Sequence, residues 1–224
     1  MNFNIEDWTA EHLRKLRETF GARLEFVGLQ GSFGRGEATP DSDIDMVVIL
    51  DRMEESDLRA YRKLVQTMPE HGRACGFFSG KEELRAWPRY DLWTLYYDTK
   101  TLYGNLTELL PELCRDDLRE AVLTGAAGLY HMAVHARIHS DNPKTFLRDL
   151  YKATFFIARA KYQFETDEYV PSKTLLATRL TGTDKEIIDR AVAYANGMDE
   201  STPENDFGRL IAWLQELIKR YGRI

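Results

Sequence analysis

Residues 44–50 form an almost continuous apolar run, Ile-Asp-Met-Val-Val-Ile-Leu, which is interrupted only by Asp45. Such a run is typical of a central β-strand whose two faces are both covered by the rest of the protein. A carboxylate inside this kind of strand needs a reason, because an unpaired buried charge is costly. Asp43 lies two residues earlier, and side chains at i and i+2 of a strand point to the same side. The pattern therefore predicts two neighbouring carboxylates on one face of a sheet.

The residues before this strand indicate what the two carboxylates bind. Residues 23–29 read as a second strand, and the chain then turns at Gly31, where the missing side chain lets a phosphate approach the backbone. Ser32 offers a hydroxyl and an N–H at the start of a short helix, a position that attracts anions. A Mg²⁺ ion between Asp43 and Asp45 would relieve their repulsion, and Mg²⁺ usually binds through one or two carboxylates plus substrate phosphates. These residues therefore predict a site for a magnesium-bound phosphate.

Two other phosphate-binding motifs do not fit the same segment. A P-loop requires G-x-x-x-x-G-K-[ST], but Glu37 stands where the lysine belongs. The dinucleotide fingerprint G-x-G-x-x-G is excluded because Gly31, Gly34 and Gly36 are wrongly spaced. The two later glycines keep the loop slim, and Arg35 between them reaches either a phosphate or the solvent.

In the first part of the chain, apolar residues recur with the spacing of a helix in some segments and of a strand in others. The predicted helices are residues 6–20 and 56–68, and the predicted strands are 23–29, 44–50 and 73–79. Residues 91–104 are ambiguous, since their Trp, Thr and Tyr content favours a fourth strand but a short helix also fits. This part is expected to form a small domain built on a mixed sheet.

The pattern changes near residue 105, after which helical periods account for nearly every residue. The predicted helices are 116–139, 143–164, 173–181, 184–196 and 204–221. We therefore expect an α+β protein with a sheet domain at 1–105 and an all-helical domain at 106–224. Because no Gly/Ser-rich linker joins them, we expect the two domains to pack together around a ligand-binding cleft.

Composition narrows the possible surroundings and partners. The net charge is −6 and the pI about 5.5, which argues against nucleic acid as the main partner. The sequence shows neither a signal-peptide pattern nor an apolar run long enough to span a membrane, so we expect a cytoplasmic protein. Cys75 and Cys114 are then expected to be free thiols.

One motif of the chain resembles the DNA polymerase beta-type nucleotidyltransferase superfamily. In this motif Gly31-Ser32 is followed, about ten residues later, by Asp43-x-Asp45 in an apolar strand. The resemblance implies transfer of a nucleoside monophosphate, commonly AMP from ATP, to a hydroxyl group. It implies that Asp43 and Asp45 are catalytic and bind two Mg²⁺ ions, with ATP as the co-substrate.

The same resemblance implies further contacts to the nucleotide. Gly31 and Ser32 would approach the phosphates, and Arg35 and Ser42 are additional candidates for phosphate contacts. All of these residues lie in the short segment between the first two predicted strands.

The segment FIARAKYQFETDEYVPSKTLLATRL resembles the helical domain of streptomycin adenylyltransferase-type antibiotic-modifying enzymes. The matching residues are Arg159, Tyr162, Glu165, Thr166, Glu168, Val170, Ser172 and Lys173. By this resemblance Lys173 contacts the nucleotide phosphates from across the cleft. The implied acceptor is a small hydroxylated molecule such as an aminoglycoside or lincosamide, and the implied role is antibiotic resistance.

The chain departs from the superfamily at one point. A third carboxylate usually comes from the next core strand, but the corresponding segment, residues 73–79, contains none. Asp91 is the first candidate to replace it, because it opens the next possible strand, and a base from Glu165 or from the substrate is also open. Glu82, Glu83 and Asp98 are the other nearby acids.

The missing carboxylate keeps two other functions open. One is a protein adenylyltransferase of the antitoxin-like type, and the other is a catalytically inactive nucleotide-binding sensor. The large helical domain disfavours the first of these, because antitoxin-like enzymes usually consist of little more than the catalytic unit.

His131, His135 and His139 recur every four residues and share one face of a predicted helix. This spacing can bind a metal ion, but no Cys or acidic residue accompanies the histidines at a ligand spacing. We therefore expect a polar stripe that faces the solvent or the cleft.

Overall fold

The computed structural model describes residues 3–197 and 203–222. The chain divides into two compact units, one up to residue 113 and the other from residue 114. The first unit carries the sheet and the second is helical. No helix in the described part of the chain is sufficiently long and apolar to cross a membrane.

The first unit contains four strands and six helices in the part of it that the structure describes. In chain order these are α1 (Ile5–Phe20), β1 (Leu24–Leu29), α2 (Gly31–Arg35), β2 (Ile44–Leu50), α3 (Glu55–Gln66), β3 (Ala74–Gly80), α4 (Lys81–Ala86), α5 (Arg89–Asp98), β4 (Lys100–Tyr103) and α6 (Leu106–Leu109). The strand order is β3-β2-β1-β4, and β1 pairs antiparallel with both β2 and β4. β2 and β3 are parallel, so the sheet is mixed, as predicted.

Alternating side chains of β2 enter two separate apolar clusters. Met46 and Val48 pack in a cluster with residues of α1 and α3, whereas Val47 and Ile49 pack in a cluster with residues of α4, α5 and α6. The strand is therefore covered on both faces, which is why its sequence is apolar without alternation. Asp45 precedes Val47 by two residues and begins the face that α4 and α5 cover.

The structure decides between the two alternatives left open for residues 91–104, since both a helix and a strand occur there. A helix, α5, occupies residues 89–98, and only residues 100–103 form the fourth strand. Leu92 and Leu95, three residues apart, are buried on one side of the helix. The packing of this apolar side outweighs the strand preference of the aromatic residues.

The second unit consists of five helices in its described residues. They are α7 (Arg115–His139), α8 (Lys144–Thr166), α9 (Lys173–Arg179), α10 (Gly182–Ala195) and α11 (Pro203–Tyr221). One apolar cluster, which includes Tyr151, Leu210 and Trp213, holds them together. The helices lie close to the predicted positions because each has a periodic apolar side.

Two ion pairs also connect these helices, Asp206 of α11 with Arg190 of α10 and Lys161 of α8 with Asp184 of α10, and Lys161 forms a further pair with the exposed Glu165 of its own helix. Asp206 is fully buried and accepts hydrogen bonds from Arg190, the shortest at 2.8 Å, and from the Tyr194 hydroxyl. Lys161 donates to Glu165 at 3.1 Å and to Asp184 at 2.5 Å. Each of these three carboxylates has at least one cationic partner, which offsets the desolvation of its charge.

Candidate functional site

The carboxylate of Asp45 lies directly against the backbone of Gly31. A Cβ atom added to Gly31 would be only 1.9 Å from Asp45 Oδ2, and Gly31 has a positive φ of 65°. The N–H of Gln30 donates to the carbonyl of Asp45 at 2.7 Å, which fixes the end of β1 beside the start of β2. A side chain at position 31 is therefore excluded both by its backbone conformation and by the neighbouring carboxylate.

Asp43 and Ser42 lie immediately before β2. The Asp43 side chain is exposed, whereas Asp45 is only partly exposed. The Ser42 hydroxyl accepts a hydrogen bond from the N–H of Thr39 at 2.8 Å, and the Ser42 N–H donates to the Thr39 carbonyl at 3.0 Å. Ser42 thus closes the turn that leads into the strand, and its contact with a phosphate stays a prediction.

Arg73, which belongs to none of the motifs described above, holds this loop in place. Its Nε and Nη2 donate to the Ser42 carbonyl at 2.9 and 2.8 Å. Its guanidinium also lies over the rings of Phe3 and Phe33, at 4.9 and 5.6 Å from their centroids. Because Arg73 is 31 residues from Ser42, no local pattern in the sequence could have indicated the contact.

Arg35 is held between two carboxylates. Its Nε donates to Glu37 at 3.0 Å, and its Nη1 lies 3.6 Å from Oδ2 of Asp98. Asp98 is the last residue of α5 and is buried, so it is well placed to restrict the guanidinium. The structure therefore gives the side chain of Arg35 a fixed position at the end of α2, and a contact between Arg35 and a phosphate remains a prediction.

Asp91, the candidate third carboxylate, is exposed in the first turn of α5. It accepts a hydrogen bond from the indole N–H of Trp87 at 2.9 Å. It opens a helix and not a strand, so the reason for selecting it from the sequence was wrong, and its catalytic role stays a prediction. Glu165, the alternative base, accepts from Lys161, Tyr221 and Arg220 and is thus part of a structural network.

The residues at the site fit a magnesium ion that is shared with a phosphate. Across residues 3–197 and 203–222, no three His, Cys, Asp or Glu side chains are arranged to hold a metal ion by themselves. Asp43 and Asp45 supply two carboxylates, and Mg²⁺ commonly takes its remaining ligands from water and substrate phosphates. The pair therefore suits a metal ion that is delivered with the nucleotide.

Lys173 is the first residue of α9, in the second unit. Ser172 caps this helix by accepting from the N–H of Leu175 at 3.0 Å, and the Tyr162 hydroxyl donates to Glu168 at 2.9 Å. Several residues of the segment that matches the antibiotic-modifying enzymes therefore shape the connection between α8 and α9. The contact of Lys173 with the nucleotide stays a prediction.

His131, His135 and His139 lie on the exposed face of α7. Their rings follow one another, with centroid distances of 6.3 and 4.8 Å. They belong to no cluster of three possible metal ligands among the described residues. Their exposure is what the sequence analysis expected for a polar stripe.

Comparison with known proteins assigns the first unit and its motif to a family. Residues 10–124, slightly more than half of the chain, match the sequence model of the family described as "Nucleotidyltransferase domain". The chain belongs to the nucleotidyltransferase domain family. The matched range contains α2, the loop and β2, so this nucleotidyltransferase carries its Gly31-Ser32 and Asp43-x-Asp45 residues in the part that the family shares.

Two individual proteins are similar to this nucleotidyltransferase over different lengths. The crystal structure of spectinomycin adenyltransferase AAD(9) from Enterococcus faecialis with ATP and spectinomycin has a TM-score of 0.64 and 17% identity. The match covers 96% of this chain and 100% of that one, so the two share a fold across both units. Protein adenylyltransferase MntA of Thermococcus cleftensis is 48% identical over 44 residues, which are 20% of this chain and 42% of that protein.

Proposed function

We propose that this nucleotidyltransferase transfers AMP from magnesium-bound ATP to a hydroxyl group of a small molecule and releases pyrophosphate. Aminoglycoside and lincosamide antibiotics are the first acceptor classes to test, with antibiotic resistance as the corresponding role. The observation that carries the proposal is the contact between the Asp45 carboxylate and Gly31. It brings a carboxylate to the turn at which the family motif is expected to receive phosphates.

In the proposed reaction the acceptor oxygen attacks the α-phosphorus of ATP while the bond to pyrophosphate breaks. Asp43 and Asp45 would hold Mg²⁺, which neutralises the triphosphate charge and lowers the pKa of a bound hydroxyl. Gly31 leaves room for the Asp45 carboxylate, and Arg73 fixes the loop that leads to Asp43. The protein would thus contribute mainly by positioning charged groups before the reaction.

Several residues around this centre have assigned roles that substitutions can test. Ser32, Ser42 and Arg35 are proposed to bind phosphates from the first unit, and Lys173 from the second. The acceptor proton is proposed to pass to Asp91 or to a group of the substrate. An Asp91→Asn variant separates these two routes, because only the first loses activity with Asp91.

The direct test is release of pyrophosphate from ATP and Mg²⁺ in the presence of a panel of acceptors. The panel contains spectinomycin, streptomycin, kanamycin and lincomycin, and mass spectrometry of the product locates the added AMP. We expect turnover with at least one acceptor and none without an acceptor. Absence of turnover with every member, by a folded protein that binds ATP, would contradict the small-molecule proposal.

A second candidate function is supported by the 44-residue similarity to a protein adenylyltransferase. In that case the acceptor hydroxyl belongs to a Tyr, Ser or Thr side chain of a partner protein. Incubation of a cell extract with labelled ATP, followed by mass spectrometry, would detect AMP on protein. Labelled protein that depends on Asp45 would favour this function over the small-molecule one.

The third candidate, a nucleotide-binding sensor, is supported by the absence of an acidic residue in β3, residues 74–80. It predicts magnesium-dependent binding of ATP with no pyrophosphate release under any acceptor condition. Calorimetric titration with ATP beside the turnover assay distinguishes a binding protein from an enzyme whose acceptor is missing from the panel.

A further inference from the structure

The first unit contains an open cavity of about 440 Å³ whose lining includes none of the residues proposed above for the reaction. Its lining comes from α5 and from the chain around α6 and the residues that follow it. The residues that matter here are Trp93, Tyr96, Tyr97, Leu110, Pro111 and Glu112. The volume is in the range of small-molecule sites, which usually measure several hundred Å³.

Aromatic rings form one wall of this cavity. Trp93 and Tyr97 are stacked almost in parallel, with centroids 5.4 Å apart and an interplanar angle of 6°. Tyr96 meets Tyr97 edge to face at 4.9 Å. Tyr96 and Tyr97 are 40% and 39% exposed, although neighbouring positions of α5 are buried. An exposed aromatic cluster that lines a cavity is typical of a binding site.

Trp93 is held by ring contacts and not by a polar bond. Its indole N–H is buried and finds no hydrogen-bond acceptor among the described groups. An unsatisfied buried donor is unfavourable, so hydrogen bonding does not explain this orientation of the Trp93 ring. The stacked arrangement with Tyr97 presents an aromatic surface at the cavity instead.

The charge of the cavity has one sign. Glu112 is exposed and supplies a carboxylate, and none of the described residues that line the cavity is Lys, Arg or His. An anionic ligand such as a nucleotide phosphate would find no cationic partner there. An organic ammonium ion would find both a carboxylate and the electron-rich faces of aromatic rings, which attract cations.

We propose that this cavity binds a small organic cation, with its ammonium group against the aromatic wall and Glu112 as the counter-charge. The inference concerns binding on the first unit and does not depend on which molecule accepts the nucleotide. It also does not depend on turnover, so a catalytically inactive variant such as Asp45→Asn retains this site.

The test compares two probes of nearly the same shape by isothermal titration calorimetry with the full chain. Choline carries a quaternary ammonium group, and 3,3-dimethylbutan-1-ol has a carbon atom in place of the nitrogen and no charge. We expect saturable binding of choline and binding of the alcohol that is at least about tenfold weaker. Equal binding of the two probes, or no saturable binding of either, would overturn the proposal.

Substitutions assign the binding to this cavity. Glu112→Gln removes the charge without changing the size of the side chain, and we expect choline affinity to fall about fivefold to tenfold. The matched control is Glu108→Gln, since Glu108 is also exposed and belongs to α6, but it bonds to Asn105 and does not line the cavity. Equal losses in the two variants would mean that the overall negative charge, and not the cavity, attracts the cation.

Tyr96→Leu tests the aromatic wall, because it keeps an apolar side chain and removes the ring. We expect the preference for choline over the alcohol to decrease markedly. Tyr96 is exposed, so this variant is expected to fold, and circular dichroism checks that it does. An unchanged preference would show that ring faces do not bind the ammonium group.

Discussion

In the helical unit, Asp206 is fully buried and bonded to Arg190 and Tyr194, whereas in the sheet unit Asp43 is exposed just before β2. Asp45 is intermediate, partly exposed and packed against the backbone of Gly31. The first arrangement uses a carboxylate to connect helices. The second keeps carboxylates accessible at the end of a strand, where a metal ion and phosphates can reach them. For these three aspartates, burial distinguishes the structural residue from the two candidate catalytic ones.

The sharpest test of this comparison is Asp45→Asn. If Asp45 holds the metal ion, we expect kcat to fall about 10³-fold or more, because charge stabilisation at the transferred phosphate is lost. We expect the free energy of unfolding to change by less than about 1 kcal/mol, since the side chain is partly exposed. Pyrophosphate release and urea unfolding measure the two effects. Asp41→Asn, in the exposed turn of the same loop, is the control and should retain activity.

Asp206→Asn is expected to show the opposite behaviour. Removing the charge leaves Arg190, whose side chain is only 13% exposed, without its carboxylate partner, which should lower the free energy of unfolding by about 3 kcal/mol. Turnover by the fraction that remains folded should change little. Asp189→Asn is the control, on the helix α10 that also carries Arg190, because the ion pair of Asp189 with Lys185 is exposed and should contribute less than about 0.5 kcal/mol. Similar losses in both variants would refute the assignment of Asp206 to a structural role.

His12 tests whether the sheet unit also contains a costly buried polar group. It is fully buried, stacks on Trp8 at 5.0 Å, and neither ring nitrogen has a hydrogen-bond partner among the described groups. Burial lowers the pKa of His12 to about 4, with a smaller contribution from Lys15. The unfolded chain, with a pKa near 6.5, therefore binds a proton that the folded chain excludes.

The free energy of unfolding should consequently decrease as the pH falls from about 6.5 to about 4. The contribution of His12 alone should be up to about 3 kcal/mol. His12→Phe should flatten this part of the pH profile in urea unfolding, whereas His71→Gln, at an exposed position, should leave it unchanged. An identical slope in the wild type and in His12→Phe would rule out the effect.

Gly31→Ala and Gly36→Ala separate backbone strain from contact with the carboxylate. Both glycines have positive φ values, 65° and 73°, so each substitution should cost about 1 kcal/mol of backbone strain. Only at Gly31 would the new Cβ collide with Asp45, because nothing lies within 4 Å at Gly36. We expect kcat/KM to fall about 10-fold to 100-fold for Gly31→Ala and less than about twofold for Gly36→Ala. Equal activity losses would mean that Gly31 matters only for the backbone.

Most helices and three strands could be predicted because their apolar residues recur with a clear period. The segment around Trp93 could not, since its aromatic residues favour a strand while Leu92 and Leu95 bury one side of a helix. Trp93 and Trp87 illustrate the same limit, because large aromatic side chains are on average highly buried in folded proteins. Trp93 is only partly buried and Trp87 is 38% exposed. Local composition does not reveal which side of a short helix the rest of the chain covers.

The candidate site could be predicted as far as its local motif extends. Gly31 and Asp45 were identified from spacing, whereas their direct contact and the roles of Arg73 and Asp98 required the structure. Arg73 is 31 residues from the carbonyl that it binds, and Asp98 pairs with Arg35 across a long stretch of chain. Such contacts depend on strand pairing and helix packing, which a motif does not encode.

The bonds from Arg73 to the Ser42 carbonyl have a consequence for protein engineering. A graft of residues 30–50 into a foreign sheet would transfer both aspartates but leave behind the guanidinium that anchors the connecting loop. The transplant would also need an arginine at the beginning of the neighbouring parallel strand, with an aromatic residue to support it. The smallest portable unit of this site is therefore two adjacent strands and not one contiguous peptide.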